Sequence, residues 1–152
     1  MATQEDLMAP FATTIEKTRD WLRDLDEHLG THDAEKTVRA LRAVLHPLRD
    51  RLLPTEAAHL AAQLPLVLKG LYYDGWRPAD APRRDRSRDA FLARVADELQ
   101  PPADVPPQDA VRGVLRLLGD RISPGEVEDI RDMLPEDLAE LWPEAGRTAG
   151  GS

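Results

Sequence analysis

Apolar residues, with an occasional threonine among them, recur along this chain at steps of three and four. Ile15, Thr18, Leu22, Leu25 and Leu29 form one series, and Val38, Leu41, Val44 or Leu45, Leu48 and Leu52 form another. Residues so spaced share one side of a helix with about 3.6 residues per turn, and the intervening charges fall on the other side. No stretch sustains apolar–polar alternation, so no strand is predicted. Leu64-Pro65 and Leu134-Pro135 each stop one helix, because a residue before proline avoids helical torsions, and each proline can open the next. Ser123-Pro124-Gly125-Glu126 has the form of a capping box, with proline at the first helical position. The predicted helices are 13–29, 34–53, 54–64, 65–74, 88–99, 107–122, 124–134 and 135–142. Pro47 predicts a kink in the second of them, with the Ala43 carbonyl freed; its counterpart Leu117 predicts none.

That list repeats itself. An offset of 70 residues places Trp21-Leu22 on Phe91-Leu92, Val44-Leu45 on Val114-Leu115, Asp50-Arg51 on Asp120-Arg121 and Leu64-Pro65 on Leu134-Pro135. Between 21–72 and 91–142, 15 of 52 positions are identical without a gap, and the hydrophobic phase is kept. The expected fold is therefore all-α, with two tandem four-helix repeats packed as one pseudo-twofold helical bundle. A four-helix unit of about 60 residues has a thin core alone, which is why the copies are expected to form one compact domain. Residues 1–12 read as an N-terminal extension, 13–76 as repeat 1, 77–88 as an arginine-rich linker, 89–142 as repeat 2 and 143–152 as a disordered tail. Residues 100–107, with four prolines, read as a stiff loop.

The run from Arg39-Ala-Leu-Arg-Ala-Val-Leu-His-Pro-Leu to Glu56-Ala-Ala-His-Leu, then Leu71-Tyr-Tyr-Asp-Gly-Trp76, is similar to a bacterial family catalogued as domain of unknown function 2267. Phe91 to Trp142 resembles the same family, so the likeness covers about residues 13–142, with Leu-Tyr-Tyr-Asp-Gly-Trp as its most specific piece. The resemblance implies an all-helical fold and a bacterial source, and it brings no catalytic assignment. Seventeen arginines against three lysines suit a GC-rich genome.

Charge and composition narrow the chemistry. The formal net charge of −8 lacks the basic surface that phosphate neutralisation needs, so no nucleic-acid partner is expected. Without cysteine there is no disulfide, thiolate metal site or cysteine nucleophile. Residues 1–10 lack a basic segment followed by an apolar run, so no secretory signal is expected; nor does any run reach the ~18 apolar residues of a membrane span. A cytoplasmic setting follows as the expectation. Ser87, Ser123 and Ser152 include no nucleophile elbow, and no glycine-rich phosphate loop is present, so no catalytic or cofactor-binding residue is assigned and no cofactor is expected.

Five further constellations remain. Glu56-Ala-Ala-His59 has the spacing that puts a carboxylate and an imidazole on one helix face, but the matching stretch reads Glu126-Val-Glu-Asp129 and a di-iron set is incomplete. The favoured reading leaves Glu56 on the helix dipole, His59 at the surface and no metal bound. His28 and His32 are separated by Gly30, so His28 is expected at the last carbonyls of its helix. His46 is expected to form a surface pair with Asp50. Residues 126–144 hold eight acidic residues against Arg131 alone, a local balance of −7. Glu128, Asp132, Glu136, Asp137 and Glu140 are its candidate interaction surface. Tyr72, Tyr73, Trp76 and Trp142, with Arg83 and Arg84, form a candidate inter-repeat cleft; the favoured alternative is that the aromatics close the core.

The preferred function is a non-enzymatic module that recognises a protein partner through the acidic face and the aromatic junction, with self-association through the same faces as a variant. A small-ligand sensor at the junction, and a metal-dependent enzyme built on Glu56 and His59, are the alternatives.

Overall fold

The computed structural model describes residues 3–80, 87–100 and 105–143. The elements are α1 (Gln4–Met8), a 3-10 turn (Ala9–Phe11), α2 (Ala12–Leu29), α3 (Ala34–Arg51), α4 (Pro54–Ala62), α5 (Leu66–Tyr73), a second 3-10 turn (Pro78–Asp80), α6 (Arg88–Leu99), α7 (Pro107–Arg121), α8 (Pro124–Met133) and α9 (Glu136–Ala139). No strand occurs among the described residues, so the all-α expectation holds.

Local chemistry sets most boundaries. Asp33 caps α3 by accepting from the Glu35 and Lys36 amides at 2.9 and 3.2 Å. Ser87 caps α6 through the Ala90 amide at 3.1 Å. Gly30 ends α2 in the left-handed region, at φ +70°. Pro65 and Pro135 immediately precede α5 and α9. Within the segment read as an N-terminal extension, α1 and a 3-10 turn form, begun by a reciprocal box between Thr3 and Asp6. Helix α9 stops at Ala139 and the chain continues to Trp142 in turns, so the predicted helix 135–142 is shortened. Helix α3 runs unbroken across Pro47.

The capping box at Ser123 forms only by half. Ser123 Oγ accepts from the Glu126 amide at 3.2 Å, but the Ser123 amide donates to Gln63 Oε1 at 3.0 Å. Gln63 thereby takes the place expected for the Glu126 carboxylate, which turns inward.

Helix α3 is the centre of the bundle. It packs against α2, α5, α6 and α7, while α2 also meets α7, and α4 meets α8. From Ala43 to Arg49 every residue of α3 is buried, as expected of a helix covered on all sides. One apolar cluster joins Trp21, Leu25, Leu41, Leu48 and Leu60 to Phe91, Val95, Val114, Leu118 and Ile130. The deepest large residue of α2 after Leu25 is Trp21; Leu22 and Leu29 are partly buried and Ile15 is exposed. Gly113 makes the α2–α7 approach close, since a Cβ there would stand 2.7 Å from Leu29 Cδ2.

Candidate functional site

The acidic segment forms an open face. Glu128 and Asp132 on α8, Glu136 and Asp137 on α9, and Glu140 just beyond it are all exposed. Between them Val127, Ile130, Leu134 and Leu138 turn toward the core, so helical amphipathicity alone places the carboxylates outside. None of the five pairs with a cation among the described residues.

The aromatic residues divide into two pairs. Tyr72 and Trp142 are buried in the core cluster; the Tyr72 hydroxyl donates to the Ala57 carbonyl at 2.8 Å, and burial raises its pKa. Tyr73 and Trp76 are half-buried and stack with centroids 5.2 Å apart, while Tyr73 meets Tyr72 edge-on. Arg83 and Arg84 lie outside the described residues, as do 81–86 of the linker, 101–104 of the proline loop and 144–152 of the tail. A hollow of about 450 Å³ between α2 and α7 is lined by His28, Arg112 and Arg116 among others, and by none of the four aromatics. A wider cleft of about 620 Å³ runs along α2 beside Ile15, Leu22 and Thr37.

Two of the histidines depart from expectation. His28 points across to α7, with Nε2 3.9 Å from Asp120 Oδ2, instead of to its own helix end. His46 is 4% exposed, so it forms no surface pair with Asp50. Its Nε2–H donates to the Leu71 carbonyl at 2.8 Å, and desolvation lowers its pKa. Asp50 is engaged by Arg49 and by Arg94 of α6 instead. His59 is exposed and Glu56 stands in the first turn of α4, both as expected, but Glu56 is only 7% exposed.

Glu56 meets a partner that spacing along one helix could not reveal. The contact of α4 with α8 brings Glu126, also 7% exposed, to the same place. One donor atom each from Glu56, His59 and Glu126 lies within 4.8 Å of the others. Burial, reinforced by a hydrogen bond and charge repulsion from Glu56, pushes the Glu126 carboxyl up to about 8. The matching glutamate at an offset of 70 residues was the signal available in the sequence.

No described helix is long and apolar enough to cross a membrane. The family model described as "Uncharacterized conserved protein (DUF2267)" matches residues 18–141. No curated protein matches the chain.

Proposed function

The chain belongs to the DUF2267 family, and within that family we propose that it acts as a protein-interaction module, without catalysis, whose α8–α9 face docks a basic protein surface. The observation that supports this is the row of five exposed carboxylates, Glu128, Asp132, Glu136, Asp137 and Glu140, with no described cation paired to them. A single-sign field of this kind raises the encounter rate with an oppositely charged partner and disfavours others. Tyr73 and Trp76, stacked and half-buried, extend the reading to an apolar contact at the end of α5. A cytoplasmic, bacterial setting accompanies it.

The test is cross-linking of the whole protein in a lysate of the organism that encodes it, beside the variant carrying Asp132→Lys, Glu136→Lys and Asp137→Lys. The wild type is expected to retain a basic partner in a salt-sensitive way, and the variant to lose it with unchanged circular dichroism. Equal capture by both proteins, or capture insensitive to salt, would overturn the assignment of this face.

A further inference from the structure

The trio at the α4–α8 contact includes none of the five carboxylates of the proposed docking face. Glu56 and Glu126 are each more than nine-tenths buried, at 7% exposure, and their carboxyls meet each other, yet Oε2 of each accepts no hydrogen bond from a nitrogen or hydroxyl donor. Glu56 Oε2 faces the His59 ring, with Nδ1 at 3.6 Å. Buried carboxylate oxygens without donors are costly unless a proton or a cation joins them. The Tyr72 hydroxyl, which feels the Glu126 charge, donates to the Ala57 carbonyl and not to either carboxylate. His59 is 61% exposed, which leaves the trio open to solvent on one side.

We propose that Glu56, His59 and Glu126 bind a divalent transition-metal cation, with zinc as the best match. Two carboxylate oxygens and one imidazole nitrogen are a borderline donor set of the kind zinc takes, at about 2.0–2.2 Å, with a fourth position left for water. Magnesium, which favours oxygen ligands and keeps its waters, gains nothing from the imidazole. Tetrahedral bonds of that length place donors roughly 3.3–3.6 Å apart. The donor atoms, now within 4.8 Å of one another, must draw about an ångström closer on binding, and His59, exposed and already 3.6 Å from Glu56 Oε2, is the ligand with room to turn. Asp129, exposed at the position that matches His59 in the second copy, adds negative potential at the mouth.

The experiment is zinc titration by calorimetry of the full chain after chelator treatment, with cobalt as the optical probe of coordination. One zinc per chain is expected, with a visible cobalt band of four- or five-coordination and much weaker binding of magnesium. His59→Ala, whose site is on the surface and leaves the fold intact, and Glu126→Gln, which keeps the shape, should each weaken zinc binding at least about tenfold. The double variant His28→Ala with His32→Ala should bind as the wild type does. Absence of zinc binding by the wild type identifies the trio as a proton-sharing carboxyl pair and overturns the proposal. So does binding that survives His59→Ala or is lost with His28 and His32, which marks an adventitious ion only.

Discussion

Glu56 and Glu126, one 70-residue offset apart, meet across the contact of α4 with α8 with both carboxyls buried. Equivalent residues are thus brought into one cluster, and neither half of the chain holds that cluster alone. Buried polar groups at helix contacts recur within the first half too, where Arg49 and His46 of α3 meet the end of α5.

Arg49 ties α3 to the end of α5. It is 3% exposed, and its Nη1 donates to the Tyr72 and Asp74 carbonyls at 2.7 and 2.9 Å while Nε donates to Asp50. Arg49→Ala removes a cap from α5 and leaves Asp50 with less compensation, so unfolding free energy should fall by about 3 kcal/mol. Arg49→Lys should recover only part, because an ammonium does not reproduce the planar fork. Urea denaturation of the three proteins measures both steps, and a loss below about 0.5 kcal/mol in Arg49→Ala would show no net contribution.

His46 makes stability depend on pH. Desolvation lowers its folded pKa below the ordinary 6.5, the nearby Arg49 and Arg42 act in the same direction, and the Leu71 hydrogen bond and Glu98 oppose them. The unfolded chain therefore binds more protons below pH 6.5, and stability falls as pH drops from there toward the folded pKa. The slope from this one residue reaches at most about 1.4 kcal/mol per pH unit. His46→Gln retains a donor for the Leu71 carbonyl without titrating. Its stability between pH 7 and pH 5.5 should fall less than that of the wild type; parallel curves would remove His46 from the account.

Much of the helical framework was legible because its punctuation is local: Gly30, Ser123 and the two Leu-Pro pairs act on the backbone within one turn of themselves. Helix α1 was missed because five residues are too few for periodicity, although Thr3 and Asp6 carry a capping signature. His46, Arg49 and Arg51 were not legible as buried residues, since a charged or polar residue between apolar ones ordinarily marks the solvent side. They are buried because α3 is covered from several directions at once, which only tertiary packing decides. The acidic face was readable from composition and period together. The meeting of Glu56 with Glu126 was not, because the capping box of Ser123 gave Glu126 a satisfactory local role that Gln63 takes over in the fold.

Backbone torsions at the ends of α2 and α6 give a paired test. Gly30 has φ +70° and open space around the position of a Cβ, so Gly30→Ala should cost about 1 kcal/mol from the backbone alone. Gln100, its counterpart at an offset of 70 residues, has φ +60° with a side chain. Gln100→Gly should therefore stabilise by about 0.5–1 kcal/mol, a rise in melting temperature of roughly 2–4 °C. A melting temperature lowered by Gln100→Gly would contradict the torsional argument.

The α2–α7 approach should be sensitive to volume at Gly113. Valine there meets Leu29 Cδ2 at 2.7 Å and Leu25 Cδ1 at 3.6 Å from its Cβ, before its two methyl groups are placed. Gly113→Val should destabilise by about 1–3 kcal/mol through overpacking. Gly113→Ala should come nearer to neutral, because only the mobile end of Leu29 must turn and the helix gains about 1 kcal/mol of propensity. Thermal melts of both variants decide the matter, and equal destabilisation by the two would point to backbone contact in place of side-chain crowding.

The crossed packing of α2 on α7 and α3 on α6 also governs how the chain reaches its fold. Helices form within about a microsecond, but here the core closes only when segments far apart in the sequence find each other. Arg121 of α7, for instance, pairs with Asp24 of α2 across 97 positions. Chain closure across the middle of the molecule should therefore slow folding, so that this protein built of helices is expected to fold more slowly than an up-and-down bundle of its length. Stiffening or shortening the connection between the halves is then a kinetic change before it is a structural one.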